Sequence, residues 1–76
     1  MIYTDGIHIA AENLQELHQF MTQIGIKRCW FHNVKAHPHY DKPKRFSLQK
    51  LLDAGTILVD ARKILVVAGT AAQTRV

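Results

Sequence analysis

The stretch that decides the fold is residues 12–32, ENLQELHQFMTQIGIKRCWFH. Its large apolar side chains first recur every three or four positions, which is the period of an amphipathic helix. Gly25 then supplies a helix C-cap, and the residues after it are rich in strand formers. We therefore expect a helix over residues 12–24 that is followed directly by a strand over residues 26–32.

Short elements are expected on both sides of this helix–strand pair. Residues 1–4 alternate between apolar and polar side chains, and Asp5-Gly6 is a strong turn signal. Residues 7–9 are therefore expected to return as a second strand or to lead into the helix. Further along the chain, apolar spacing indicates another helix over residues 43–54, with Gly55 as its cap.

The last third of the chain completes the predicted order of elements. Residues 56–59 and 64–67 are β-branched runs that predict a hairpin, and the residues after them show no period. The order β-β-α-β-α-β-β favours an α/β fold. We expect a small sandwich in which two helices cover a mixed sheet of four or five strands. One α/β domain is expected over residues 1–68, with a flexible C-terminal tail over residues 69–76.

Composition indicates a small intracellular protein. The 76 residues suffice for one domain with a thin core, which favours a homodimer that pairs through the apolar 64–67 strand at a sheet edge. Cys29 is the single cysteine, and a lone thiol is typical of a reducing, cytosolic setting. Neither a membrane-spanning stretch nor a signal peptide is recognisable, so we expect a cytoplasmic protein with no membrane contact.

Positive charge is concentrated in one part of the chain. Residues 1–26 contain three acids and no lysine or arginine, whereas residues 27–50 contain seven of these bases and one acid. This concentration favours an anionic ligand, although solvated surface charge is the simpler alternative. Lys42, Lys44 and Arg45 lie where the second helix is expected to begin, and its backbone N–H groups also favour a phosphate there.

Three of the five histidines lie within residues 32–41, in this basic part. Residues two apart in an extended segment point the same way, so His37, His39 and Asp41 are expected to converge and could bind zinc or another divalent metal. The same imidazoles could instead act without a metal, as general acid and base on a phosphodiester. His8 is a further candidate for either role. A third alternative is that Asp41 only caps the second helix.

Other side chains are candidates for ligand contact. Trp30 and Tyr40 could stack on a nucleobase, although a single aromatic residue packs in a small core just as often. Asp5 ends the first strand, which is where sites collect in α/β folds. His18 flanks the apolar face of the first helix, where a partly buried structural histidine is the better interpretation.

Several short motifs together resemble a known family. They are Ile2-Tyr3-x-Asp5, His8, Glu16-Leu17-His18 followed by Gly25, Trp30-Phe31, His39-Tyr40-Asp41 and Ala54-Gly55. This pattern resembles the domain-of-unknown-function family numbered 4031, found in bacteria and their phages, over most of residues 1–59. The resemblance implies a site at Asp5, His8, His39, Tyr40 and Asp41, and no particular activity. The chain lacks the Trp- and Arg-rich insert that members usually carry before the histidine, which suggests a phage-borne version.

These observations predict a small basic protein that binds a phosphate-bearing, nucleotide-type ligand at a His/Tyr/Asp and Lys/Arg site. Hydrolysis of a phosphodiester is the expected chemistry, in phage counter-defence or nucleotide signalling. The cofactor is unknown, with a divalent metal as the candidate. The alternatives are a non-catalytic module that sequesters a nucleotide and a nucleic-acid-binding protein, which would show a steep salt dependence.

Overall fold

A five-stranded mixed sheet and three helices make up residues 1–73, the part of the chain that the computed structural model describes. The predicted α/β fold with a mixed sheet is thereby confirmed. The strands are β1 (Ile2–Thr4), β2 (His8–Ala11), β3 (Phe31–His32), β4 (His39–Asp41) and β5 (Ile57–Leu58). The helices are α1 (Leu14–Gln23), α2 (Leu48–Asp53) and α3 (Ala61–Gln73), and a 3-10 turn over Arg28–Trp30 precedes β3.

The strands lie in the order β3-β4-β2-β1-β5. β5 pairs with β1 in parallel, and the other three pairs are antiparallel. β1 and β2 are joined at the predicted Asp5-Gly6 turn, where Gly6 has a φ of 98° that favours glycine. This order places the His39–Asp41 segment directly beside β2, and therefore beside His8.

The two faces of the sheet pack against different helices. One face packs against α1 and α2 and forms the main core. The main core consists of Ile2, Ile9, Ala11, Leu17, Met21, Ile26, Tyr40 and Leu51. On the opposite face, α3 lies on β1 and β2, where Ile64 and Val67 pack against Ala10. The neighbouring part of that face, on β4 and β3, carries the polar side chains described below.

The end of α1 follows the predicted Gly25 signal, whereas its start lies two residues later than expected, after an Asn13 cap. The Asn13 side chain caps the N-terminus by accepting a hydrogen bond from the backbone N–H of Glu16, at 3.0 Å. At the other end, the N–H groups of Gly25 and Ile26 donate to the carbonyls of Thr22 and Met21. This is the Schellman pattern, and it needs the left-handed φ of 85° that Gly25 adopts.

The hairpin predicted for residues 56–59 and 64–67 is wrong. Residues 64–67 belong to α3, so they neither form a hairpin with residues 56–59 nor offer the sheet edge expected for a homodimer. The helix begins after Asp60, whose carboxylate accepts a hydrogen bond from the N–H of Lys63 at 2.8 Å. It continues through residues 69–73, which were expected to be a flexible tail; residues 74–76 lie outside the described part of the chain.

The strand expected over residues 26–32 is also shorter than predicted. Only Phe31 and His32 pair with β4, because the preceding residues form the 3-10 turn. This turn leaves Cys29 exposed and places Trp30 at the surface, beside the chain reversal between β1 and β2.

Candidate functional site

Four polar side chains lie on strands β2, β4 and β3, on the same face of the sheet as α3. In the antiparallel pairs, His8 lies opposite Asp41 and His32 lies opposite His39. Side chains of directly paired residues lie on the same side of a sheet, and residues two apart in one strand do so as well. His8, His32, His39 and Asp41 therefore form one surface, which we call the histidine face.

Asp41 links the histidines of this surface. Its Oδ2 atom lies 2.8 Å from Nε2 of His32, and its Oδ1 atom lies 3.4 Å from Nε2 of His39. The rings of His8 and His39 meet edge to face with centroids 5.0 Å apart. One ligand atom from each of His8, His39 and Asp41 lies within 4.8 Å of the other two, so these three side chains could hold a metal ion.

Asp5 orients the His8 ring by contacting its Nδ1 atom, which leaves the Nε2 atom for a ligand. Its Oδ1 atom accepts hydrogen bonds from the N–H groups of Ile7 and His8, at 2.9 and 2.7 Å, and its Oδ2 atom lies 3.0 Å from Nδ1 of His8. Burial acts to raise the pKa of Asp5, but the hydrogen bonds and charge from His8 and Ile7 outweigh it and lower the pKa. An ionised carboxylate only accepts, so Nδ1 of His8 carries the proton and a neutral ring presents a lone pair at Nε2.

His39 is oriented by backbone rather than by a side chain. Its Nδ1 atom lies 2.7 Å from the carbonyl oxygen of His37. Since a carbonyl only accepts, Nδ1 carries the proton, and Nε2 of neutral His39 is also an unprotonated nitrogen. The two histidines thus present the same ring nitrogen toward possible ligands.

The predicted metal trio His37, His39 and Asp41 needs one correction. Among the described residues, the trio that converges contains His8 in place of His37. Side chains two residues apart point the same way only in an extended strand. Here β4 begins only at His39, after the buried Pro38, so His37 lies outside the strand. The His37 ring instead lies beside the His39 ring, with centroids 5.8 Å apart.

A small cavity of 190 Å³ lies between these residues and the first half of α3. Asp5, His8, His37 and His39 line one side of it, and Ala61, Ile64 and Leu65 line the other. His39 is mostly covered, with 14% of its side chain exposed, whereas 39% of the His8 side chain is exposed. The cavity therefore brings His8 and His39 together beside an apolar wall formed by α3.

A larger groove of 630 Å³ adjoins the histidine face. We call it the basic groove; it is lined by Gly6, Ile7, Trp30, Asp41, Lys42, Pro43, Lys44 and Arg45. Asp41 belongs to both the groove and the histidine face. Four predicted ligand contacts, Trp30, Lys42, Lys44 and Arg45, are thus brought together next to the histidines.

The three cations of the groove are not equivalent. The Lys42 ammonium donates to the carbonyl oxygens of Phe46 and Pro43, at 2.7 and 3.4 Å, so it holds its own loop together. Lys44 and Arg45 are exposed, and within residues 1–73 neither forms an ion pair. These two side chains are the cations free to meet an anion in the groove.

Tyr40, expected to contact ligand, is placed elsewhere. It is 1% exposed and lies in the main core, because the residue between His39 and Asp41 points to the other face of the sheet. Its hydroxyl lies 2.7 Å from Nδ1 of His18. Burial raises the pKa of Tyr40, against the charge of Arg28, while burial and Arg28 together lower the pKa of His18. The hydroxyl therefore donates to a neutral His18, which confirms the structural role expected for this histidine.

The sequence left the direction of His32 undecided. The signal that decides it is strand pairing: Phe31 is opposite the buried Tyr40, so His32 must lie on the same face as His39.

The family comparison covers nearly all of the described chain. The model of DUF4031, a protein family of unknown function, matches residues 5–71. The chain belongs to the DUF4031 family. The resemblance inferred from the sequence motifs is thereby confirmed, and the DUF4031 match includes the histidine face and the basic groove. Neither the curated proteins nor the solved structures contain a match. Within residues 1–73, no helix combines the length and the apolar character that crossing a membrane requires.

Proposed function

We propose that this protein binds a phosphate-bearing, nucleotide-type ligand in the basic groove and hydrolyses a phosphodiester at the histidine face. One observation carries the proposal: Asp41 lines the groove and also lies within 3.4 Å of ring nitrogens of His32 and His39. A phosphate held in the groove is therefore next to groups that transfer protons.

The groove offers the two kinds of surface that a nucleotide requires. Trp30 is 37% exposed and Ile7 is 65% exposed, so both present apolar surface on which a base can stack. Lys44 and Arg45 line the same groove and supply positive charge for the phosphate. A strictly polar anion would make no use of the apolar surface, so a nucleotide fits this lining better than inorganic phosphate does.

The histidines provide the proton transfers that hydrolysis needs. Water attacks the phosphorus atom, and an imidazole with a free Nε2, such as His39, takes the proton that the water loses. The bond from phosphorus to the leaving oxygen breaks, and an imidazole in its protonated form returns a proton to that oxygen. Lys44 and Arg45 stabilise the negative charge that builds on the phosphate oxygens.

The proposed setting is the cytoplasm, since the single cysteine, Cys29, is exposed and a free surface thiol suits a reducing compartment. The homodimer expected from the thin core also belongs to the proposal. Light scattering tests it, and the mass of one chain at micromolar concentration would contradict it.

Trp30 gives a direct test of ligand binding because it is the single tryptophan and lies in the groove. The protein is titrated with linear and cyclic nucleotides while tryptophan fluorescence is recorded. We expect a saturable change with at least one nucleotide, and weaker binding for Lys44→Ala and Arg45→Ala. Lys35→Ala removes the same charge from an exposed position outside the groove and is the matched control. The proposal fails if no nucleotide changes the fluorescence, or if Lys35→Ala weakens binding as much as the groove variants do.

A further inference from the structure

We propose that His8, His39 and Asp41 bind a divalent transition-metal ion of the zinc type, through Nε2 of both histidines and a carboxylate oxygen of Asp41. Two imidazoles and one carboxylate form a donor set that suits Zn²⁺ and neighbouring first-row metals, whereas Mg²⁺ and Ca²⁺ prefer oxygen ligands alone. Metal binding is inferred from the geometry of these three residues and does not depend on the proposed function. Only its part in catalysis rests on the proposed function.

One pair of ligand atoms already has the spacing of a metal site. Nε2 of His39 and Oδ1 of Asp41 are 3.4 Å apart. Metal–ligand bonds of about 2.0–2.2 Å at tetrahedral angles place two ligand atoms about 3.3–3.6 Å from each other. A ring nitrogen of His8 lies within 4.8 Å of a ligand atom of each of the other two residues, so modest side-chain rotation completes the set.

A metal ion bound between the same pair of atoms satisfies both of them. Nδ1 of His39 donates to the His37 carbonyl, so Nε2 of the neutral ring carries a lone pair. That lone pair faces a carboxylate oxygen, which also offers only lone pairs. Two acceptors at this distance repel each other unless a cation or a proton binds both, and a bound metal ion satisfies both at once.

Each of the three proposed ligands has an outer partner that fixes its orientation. Asp5 accepts from Nδ1 of His8, the His37 carbonyl accepts from Nδ1 of His39, and Nε2 of His32 contacts Oδ2 of Asp41 at 2.8 Å. Outer hydrogen bonds of this kind select the tautomer and hold the ligating atom in place in metal sites. Histidines that lie together on a surface by chance need no such partners, so the three outer contacts support a metal site.

The site is open on one side, as a catalytic metal site is. Three protein ligands leave at least one position of a tetrahedral ion free for water. The 190 Å³ cavity beside His8 and His39 provides the space for that water. A water bound to the metal loses its proton near neutral pH, so it becomes the nucleophile for the proposed hydrolysis. In the metal-loaded site the ion thereby replaces His39 as the group that activates the water, because Nε2 of His39 is then a ligand.

Metal binding is tested on the full chain after removal of metals with EDTA and dialysis. Zn²⁺ is titrated by calorimetry, and Co²⁺ is titrated by visible absorption, which reports the coordination geometry. We expect one ion per chain. His8→Ala and His39→Ala should abolish binding of that ion, and Asp5→Asn should weaken it by about 10–100-fold, because it removes the charged outer partner of His8.

His37→Ala is the matched control, since it removes a histidine from the same segment but keeps the backbone carbonyl that orients His39. Circular dichroism shows whether each metal-free variant is folded, and if His39→Ala does not fold, His8→Ala decides. The proposal is overturned if the wild-type chain binds no zinc, or if His37→Ala loses binding as His39→Ala does. Zinc binding without any nucleotide binding would instead contradict the proposed function and leave the metal site standing.

Discussion

His8 lies directly opposite Asp41 in the β2–β4 pair, although the two residues come from opposite halves of the chain. The next pair along these strands is Ile9 with Tyr40, and both of its members are buried in the main core. A slip of one residue in either strand would turn the polar side chain of that strand toward the core and its apolar side chain away from it. Core packing therefore sets the register that brings the site residues together.

The first prediction concerns this core. Leu17→Ala removes a side chain with no exposed surface that packs in the main core. We expect it to lower the free energy of unfolding by about 2–5 kcal/mol, from lost apolar burial and the cavity left behind. Urea denaturation measures the change. Gln19→Ala, at an exposed position of the same helix, should change it by less than about 0.5 kcal/mol.

The second prediction is that replacing two glycines by alanine changes the stability of the fold in opposite directions. Gly55 has a φ of 105°, so Gly55→Ala should destabilise the fold by about 1–2 kcal/mol. Gly69 lies inside α3 with room for a methyl group, so Gly69→Ala should stabilise it by about 0.5–1 kcal/mol. Thermal unfolding followed by circular dichroism gives both signs. A neutral Gly69→Ala would argue against helical structure at this position.

The third prediction concerns pH. The pKa of His18 is lowered by burial and by Arg28, so folding favours its neutral form. A depressed pKa means that this stabilisation is complete above the unfolded-state value of about 6.5 and is lost as the pH falls through the folded-state value. We expect the free energy of unfolding to fall below about pH 6.5 more steeply for the wild-type chain than for His18→Gln. Parallel curves for the two proteins would contradict this assignment.

Lys42 is the subject of the fourth prediction. Its ammonium group donates to the Phe46 carbonyl at 2.7 Å, so Lys42→Met should lower the free energy of unfolding by about 1–3 kcal/mol. Nucleotide affinity should change less than it does in Arg45→Ala, because Arg45 is free to meet the phosphate. Urea denaturation and the Trp30 titration are run on the same samples. A larger loss of affinity for Lys42→Met than for Arg45→Ala would assign Lys42 to the ligand.

How far the sequence predicts the fold depends on how local each signal is. The end of α1 follows from Gly25, which acts within a few residues and was predicted, whereas its start at Leu14 follows from the Asn13 cap, which was not predicted. The helix α3 was missed because residues 64–67 are a β-branched run when taken alone. The buried positions 64, 67, 68 and 71 have a helical period that appears only in a longer window.

The candidate site also combines features that local sequence signals predict with features that depend on long-range contacts. That Asp5, His8, His39 and Asp41 are candidate site residues was predictable from residue type. The choice of His8 over His37 depends on the β2–β4 register, which is a long-range contact that no local pattern encodes. Tyr40 is different: alternation along a strand already requires the residue between His39 and Asp41 to point away from them.

Recovery of small molecules from the denatured protein shows whether it hydrolyses a nucleotide. The zinc-loaded protein is incubated with a panel of cyclic and linear nucleotides, then heat-denatured, and the released compounds are identified by mass spectrometry. A parallel set contains EDTA, and His39→Ala serves as the inactive variant. We expect at least one phosphodiester that the wild-type chain converts to its hydrolysed product and that the variant leaves intact. Recovery of every nucleotide unchanged from the wild-type protein would contradict the proposed hydrolysis. If the native protein instead removes a nucleotide from solution and releases it intact on heating, the protein is a sequestering module.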